Sequence, residues 1–385
     1  MLTAFCMAAD SQETSGGGED EKEQILREQA SSAQIRNLEK QLKKYSSAGI
    51  EEIIPGYDPS KIIENAAKGK LDIGIAGFLG RILKYLLKEI YQNIGILIKL
   101  VVLAVLCAVL KNLQTSFLSE SVGELAFFVC YMVIISVLVL SFTSALNMGR
   151  EIIDGMTTFI HATIPILLTL LLSGGSITTA GIFHPVLITM VEITAAVIKN
   201  IFMPVIFLST MISIVDSISD KIQISKLAGF FRQLTAWGTG LILTVFVGIV
   251  SVQGSLGAVV DGIAGKTAKF AISAFVPVVG KCLSDAADAV VGCTLLIKNA
   301  AGMAIMIGVV IICLIPLLKI LAIVILYRIT AVLLEPVSEK RITGCIGEMA
   351  NSLTFVLGIA AAVAFMFLIS VTVLISAGNM AAAVR

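Results

Sequence analysis

Long apolar runs dominate the chain after its first 93 residues. A transmembrane α-helix needs about 20 predominantly apolar residues to cross the hydrocarbon core of a bilayer. Several of these runs meet that requirement without a single charged residue. We therefore predict an all-α, polytopic integral membrane protein with six to eight transmembrane helices. The runs cover residues 94–110, 125–146, 159–172, 182–215, 237–260, 270–297, 300–334 and 353–377.

Proline interrupts four of these runs, at Pro165, Pro204, Pro277 and Pro316. Proline removes one helical N–H and clashes with the carbonyl four residues earlier, so it commonly kinks or breaks a helix. The run 182–215 is therefore either one tilted helix or two pieces. The run 270–297 is only partly apolar, and its pattern leaves open whether it crosses the membrane or turns back within it. We expect some of the spans to be broken or re-entrant.

The segment before the first run has the pattern of an amphipathic helix. Over residues 71–92, apolar side chains recur three or four positions apart on one side, and Arg81, Lys84 and Lys88 are available to meet lipid headgroups. This pattern favours an interfacial helix that leads into the membrane, with a soluble core helix as the alternative. A second helical stripe runs over residues 23–45. We assign residues 23–92 to N-terminal extramembrane or interfacial amphipathic helices.

The first 22 residues have a different composition. Residues 1–9 are apolar and end in small side chains, which is typical of the tail of a secretory signal peptide. An ordinary frayed terminus is the alternative. Residues 10–24 are rich in Ser, Gly and Glu, a composition typical of disorder. The predicted organisation is a signal-peptide remnant and disordered segment over 1–22, the amphipathic region over 23–92, and a polytopic transmembrane domain over 93–385.

The composition agrees with a membrane protein and excludes several other classes. Hydrophobic residues make up 57% of the chain and charged residues 14%, compared with about 25% charged residues in a typical soluble domain. The net charge of +1 implies no attraction to nucleic acid. The sequence has no phosphate-binding Gly-rich motif, no Cys-x-x-Cys pair and only two His residues. We predict a protein that is not an enzyme and that binds no cofactor or metal.

Charged residues inside apolar runs are the candidates for a functional site. A charge at the bilayer centre costs about 2.5–3.5 kcal/mol on insertion scales, so it usually faces protein or water. Glu192 and Lys199 lie seven residues apart, on one face of a helix. They could pair with each other or line a polar path. With Lys319 and Arg328 they are our candidates for a polar path or for helix contacts; the alternative is that the lysines extend to the membrane interface.

Four runs carry a resemblance to a known family. They are GIVSVQGSLG from Gly248, KTAKFAISAFVPVVGK over 266–281, LSDAADAVVGCTLLIKNAAG over 283–302, and LLEPVSEKRI from Leu333. In this order, and after a charged N-terminal region, they resemble the stage III sporulation protein AE family of endospore-forming Firmicutes. Members of that family resemble proteins that begin with a full signal peptide. In this sequence, the first residues resemble only the tail of such a peptide.

The resemblance implies a role in sporulation. It implies that this chain is a component of the complex that the sporulation IIIA proteins build in the mother-cell membrane around the engulfed forespore. The implied partners are the other sporulation IIIA membrane proteins, a partner ATPase, and the forespore protein Q (the stage II sporulation protein Q) across the intermembrane space. The expected function is a membrane-platform subunit of this channel-like, secretion-like complex, in contact with the lipid bilayer.

Two other functions stay open at this point. A self-sufficient secondary transporter would explain the proline-broken helices at Pro204 and Pro316 and the charges inside apolar runs. A passive assembly scaffold would need none of those charges, so Glu192→Gln would leave sporulation intact. The sequence does not decide among these functions.

Overall fold

A computed structural model describes residues 36, 40, 50–54, 62, 75–117, 120–173, 175–218, 224–275 and 280–384. The predicted signal-peptide remnant and disordered segment over 1–22 lie outside these residues, as does nearly all of the stripe over 23–45. Every regular element in the described ranges is helical, which confirms the all-α class. The elements are α1 (Ile50–Ile53), α2 (Ile75–Phe117), α3 (Glu120–Ser173), α4 (Ile177–Val197), a π-helix (Ile198–Phe202), α5 (Met203–Ile218), α6 (Ser225–Phe275), α7 (Gly280–Leu334) and α8 (Lys340–Val384).

Six stretches of helix are long and apolar enough to cross a membrane, so the chain is a multi-pass membrane protein. This count is the lower end of the predicted range, for two reasons. The runs 125–146 and 159–172 form one helix, α3, which continues through Pro165. The run 270–297 is divided between the end of α6 and the start of α7. The six spans are Gly77–Asn112, Phe128–Ser173, Ile177–Ser217, Ser225–Ala268, Val290–Leu334 and Lys340–Ala377.

The third span is one rod with a π-helical turn inside it. Helices α4 and α5 are joined by the π-helix, whose end is marked by the N–H of Met203 bonding to the carbonyl of Ile198. Pro204 follows immediately. Because proline has no N–H and its ring crowds the carbonyl four residues earlier, a wider turn before it relieves both problems. The run 182–215 is therefore continuous, although its hydrogen-bond pattern changes before Pro204.

Consecutive long helices run in opposite directions, and two contacts fix the arrangement. Lys298 in the first half of α7 reaches Ile375 near the end of α8, where its Nζ lies 2.8 Å from the backbone carbonyl. Arg232 near the start of α6 pairs with Glu348 near the start of α8, so these two helices are parallel. Helices α7 and α8 contribute many of the residues of the main apolar core.

The N-terminal side of the bundle is covered by the short helix α1. Ile53 of α1 is buried with Tyr85 of α2 and Ile311 of α7, and Lys88 forms an ion pair with Glu52. Helix α2 continues without a break across residue 93, where the charge density of the sequence changes. The division into an amphipathic region and a transmembrane domain at this residue stays a prediction.

Candidate functional site

One face of α3, α4 and the π-helix is polar along its length. On α3, polar side chains recur every three or four residues, the spacing that places them on one side of a helix. The same face continues on the neighbouring rod, and all of these side chains are exposed or half-exposed. We call this surface the α3–α4 stripe. It comprises Ser144, Asn147, Glu151, Asp154, Thr158 and His161 on α3, and Thr189, Glu192, Lys199 and Asn200 on the rod formed by α4 and the π-helix.

One ion pair and one contact between a histidine and a carboxylate connect the two halves of the stripe. Lys199 Nζ lies 2.7 Å and 2.6 Å from the two carboxylate oxygens of Asp154. His161 Nε2 lies 3.4 Å from a carboxylate oxygen of Glu192. Asp154 and His161 are seven residues apart on α3, and so are Glu192 and Lys199 on the other helix. The two contacts therefore lie about 10 Å apart along the axes of these antiparallel helices.

The pairs lie within two of the membrane spans, yet they are not buried. The side chains are exposed by 56% for Asp154, 39% for Lys199, 35% for His161 and 60% for Glu192. A charge left against lipid costs up to about 2.5–3.5 kcal/mol, the value at the bilayer centre, and pairing removes only part of that cost while an edge of each group stays uncovered. The stripe is therefore more stable beside water or another polar protein surface than beside lipid.

Other faces of the bundle have the character of lipid-facing surface. The exposed side of α6 presents large apolar residues, and so does much of the exposed side of α2. The threonines of the stripe satisfy themselves locally, since the Thr158 hydroxyl donates to the carbonyl of Asp154 and the Thr189 hydroxyl to that of Pro185. The requirement for a polar environment thus comes from the charged members of the stripe.

The π-helix sets the position of Lys199 in the stripe. A π turn rotates the residues after it relative to a regular α-helix, and such turns are frequent at functional sites. The turn also presents Phe202 to α6, where Gly238 accommodates it: a Cβ atom at Gly238 would lie 2.5 Å from Cζ of the Phe202 ring. The close approach of α6 therefore depends on the absence of a side chain at Gly238.

The structure separates the four residues predicted as a polar path or helix contacts. Glu192 and Lys199 share one face, as predicted, but each pairs with a residue of α3 rather than with the other. Lys319 and Arg328 lie on α7. Lys319 is half-buried, and Arg328 Nη2 lies 3.4 Å from the Thr354 hydroxyl of α8. A functional role for these four residues stays a prediction.

Asp154 was not among the predicted site residues, although the sequence contained a signal for it. Polar residues at positions 144, 147, 151, 154, 158 and 161 follow alternating steps of three and four, which is the period of one helix face. Most of these positions lie between the apolar runs 125–146 and 159–172, where this period indicates that one helix continues through the segment with a polar side. The identity of its partner, Lys199, depends on how α3 and α4 align, and no local pattern gives that alignment.

A buried arginine joins α5, α6 and α8. Arg232 is 9% exposed and pairs with Glu348 of α8. Its Nε lies 3.2 Å from the Ser209 hydroxyl, and its Nη2 also contacts the hydroxyl of Ser213. A buried guanidinium is stable only with such a set of partners, so this group holds three helices in one arrangement.

A buried carboxylate of α6, Asp261, caps the N-terminus of α4. Asp261 of α6 accepts hydrogen bonds from the backbone N–H groups of Thr178 and Thr179, both at 2.8 Å. These N–H groups belong to the first turn of α4, where helical donors have no partner within the helix. The carboxylate supplies the partners and also carries the charge that a helix N-terminus favours.

One groove between the helices is apolar. A groove of about 310 Å³ lies between α6 and α8, lined by Ala236, Thr239, Thr354, Phe355, Gly358 and Ile359. Its two threonine hydroxyls donate to carbonyls of their own helices, so no polar group converges on a ligand. In the part of the chain that the structure describes, no three His, Cys, Asp or Glu residues are grouped as metal ligands.

Comparisons with known proteins agree with the motifs in the sequence. Residues 57–378 match the family model of stage III sporulation protein AE. The stage III sporulation protein AE of Bacillus subtilis (strain 168) is 37% identical over 306 residues, which cover 79% of this chain and 76% of that protein. No solved structure matches the chain. Together these matches show that the chain belongs to the stage III sporulation protein AE family.

Proposed function

We propose that this sporulation protein is a membrane-platform subunit of the sporulation IIIA complex, in the mother-cell membrane that surrounds the forespore. In this role it contributes to a channel or secretion-like apparatus between the two cells. The observation that carries the proposal is the α3–α4 stripe, a charged face within two membrane spans. Such a face needs water or protein beside it, and a multiprotein conduit supplies both.

The proposal assigns separate tasks to the bundle and to its partners. The buried ties at Arg232 and Asp261 keep the helices in one arrangement, so the stripe is presented on a rigid support. The energy for transport comes from a partner ATPase, because the sequence contains no nucleotide-binding motif. The other sporulation IIIA membrane proteins complete the platform, and the forespore protein Q meets it across the intermembrane space.

Neutralising the charged pairs is expected to impair sporulation. Glu192→Gln removes the charge that faces His161, and Lys199→Gln leaves Asp154 without its counter-ion inside a span. In Lys199→Gln the uncompensated charge of Asp154 costs up to about 2.5–3.5 kcal/mol, the value at the bilayer centre, which is a factor of about 100 in an assembly equilibrium; Glu192→Gln removes a charge that an assembly partner would bind. We therefore expect heat-resistant spore counts to fall by about tenfold or more in a sporulating host whose own gene has been replaced.

Matched controls separate this effect from a general loss of charge. Glu335→Gln and Lys226→Gln make the same chemical changes at exposed positions near the ends of helices, and both should sporulate like the unaltered protein. The amount of each variant in the membrane is measured by immunoblot. Normal spore counts for Glu192→Gln and Lys199→Gln at normal protein levels would contradict the proposal and favour a passive scaffold.

The π-helix, which contains Lys199, favours one alternative, a self-sufficient secondary transporter. Interrupted helices near the middle of the membrane are typical of transporter binding sites, and the π-helix lies near the middle of the span Ile177–Ser217. The two functions differ in what the isolated chain does. A transporter moves solute in liposomes without other proteins, whereas a platform subunit requires its partners.

A further inference from the structure

We propose that the α3–α4 stripe is an interface between two copies of this chain. Asp154, His161, Glu192 and Lys199 lie inside spans and keep between 35% and 60% of their side-chain surface uncovered. Among the described residues, no other helix lies over this surface. The face therefore lacks the neighbour that its charges require, and the order of the charges indicates which neighbour fits.

The two helices of the stripe carry opposite charges at the same level. Asp154 on α3 is level with Lys199 on the π-helix, because the two side chains are in contact. Copies inserted in one membrane with the same orientation are related by an axis along the membrane normal, and such an axis preserves levels. When two stripes face each other across that axis, α3 of each copy meets the α4 rod of the other.

This arrangement makes the surface complementary to itself. Asp154 of each copy lies opposite Lys199 of the other, so the two intramolecular pairs become a closed ring of alternating charges. His161 and Glu192 repeat the arrangement one level away. Complementary charges fix the register and the choice of partner at an interface. Each copy thus adds a second counter-charge beside the uncovered edge of each group that is already paired within the other copy.

The shape of the stripe also suits a helix contact. Small side chains lie between the charged positions, Thr158 on α3 and Ala196 on α4, and Thr189 lies about one turn before Glu192; all three are exposed. Small residues allow membrane helices to approach closely, and hydroxyl groups can bond across the contact. The large apolar side chains on the exposed side of α6, such as Trp237 and Leu241, form a surface of a different kind.

A charge-exchange experiment tests the interface directly. The double variant Asp154→Lys/Lys199→Asp keeps the ion pair within each chain but reverses its direction, so the chain retains its internal contact. Unaltered and exchanged chains, each with one of two affinity tags, are produced together in pairs and co-purified in mild detergent or nanodiscs. We expect unaltered chains to recover unaltered chains, and exchanged chains to recover exchanged chains.

The mixed pair is the decisive case. It places Lys beside Lys and Asp beside Asp across the interface, and like charges in contact cost several kcal/mol, so recovery should fall by about tenfold or more. The matched control is Glu52→Lys/Lys88→Glu, which exchanges an ion pair of similar exposure on α1 and α2; its mixed pair should be recovered normally.

Two results would overturn the proposal. Equal recovery of mixed and matched pairs would mean that the stripe does not lie between copies. A chain that is monomeric in nanodiscs would mean that lipid, water or a different protein covers the stripe. Because co-purification does not depend on sporulation, these outcomes are independent of the proposed function.

Discussion

Asp261→Ala is expected to lower the free energy of unfolding by about 4 kcal/mol. The carboxylate accepts two buried hydrogen bonds from the first turn of α4, at Thr178 and Thr179. Hydrogen bonds to a charged group contribute about 1.5–3 kcal/mol each, and the variant leaves two donors without partners in a place where water is scarce. The stabilisation of the helix N-terminus by negative charge is lost as well.

The loss is measured by unfolding the purified protein in mixed micelles with increasing fractions of denaturing detergent. Asp261→Asn retains an acceptor for one of the two N–H groups, so its stability should lie between those of Asp261→Ala and the unaltered chain. The control is Glu335→Ala, which removes an exposed carboxylate in the turn before α8. Equal stabilities of Asp261→Ala and Glu335→Ala would show that the cap contributes nothing.

Arg232→Ala is expected to cost about 3–5 kcal/mol. The substitution removes the ion pair with Glu348 and two hydrogen bonds to buried serines at once, and the truncated side chain leaves a cavity. Ser209, Ser213 and Glu348 each lose a contact with Arg232. Because α5, α6 and α8 meet at this group, the loss should weaken their mutual packing rather than one helix alone.

The size of the effect is checked against two other substitutions. Lys226→Ala removes an exposed cation from the same helix and should leave the unfolding midpoint unchanged. Glu348→Gln should also destabilise the protein, because it leaves the buried Arg232 guanidinium without a counter-charge. It should cost less than Arg232→Ala, because the amide oxygen of the substituted side chain still accepts a hydrogen bond and the contacts of Arg232 with Ser209 and Ser213 remain. An unfolding midpoint for Arg232→Ala within error of that for Lys226→Ala would contradict the role assigned to this arginine.

The class of fold could be predicted from the sequence because length and apolar composition decide it. A run such as 353–377, which has no charge, has only one common solution in a membrane, since a helix satisfies its own backbone hydrogen bonds. The number of spans did not follow from the sequence alone, because a proline in a membrane helix either leaves the helix continuous or changes its hydrogen-bond pattern. At Pro165 and Pro316 the helix continues, and at Pro204 a π turn precedes the proline.

The candidate site could be predicted in part. The face shared by Glu192 and Lys199 follows from their spacing within one helix, which a single sequence reveals. Their partners on α3 do not follow, because pairing across helices depends on tertiary alignment. The same limit applies to Arg232 and Glu348, which are 116 residues apart in the chain. Contacts of this kind depend on the packed bundle rather than on any local pattern.

The most direct test of the account asks whether the α3–α4 stripe faces a polar environment in the membrane. Single cysteines replace Thr158, in the stripe, and Val252, which is 58% exposed on α6, in a chain whose seven native cysteines have been removed. Both substitutions nearly conserve size. A thiol reacts with a small charged thiosulfonate only as the thiolate, which does not form in lipid.

In membranes from sporulating cells, the account predicts rapid labelling of Thr158→Cys and no labelling of Val252→Cys. The reason is that the charges on either side of Thr158 retain water where the stripe lines a conduit. If Thr158→Cys were as unreactive as Val252→Cys, the stripe would lie in lipid or in a dry contact, and the central claim would be wrong.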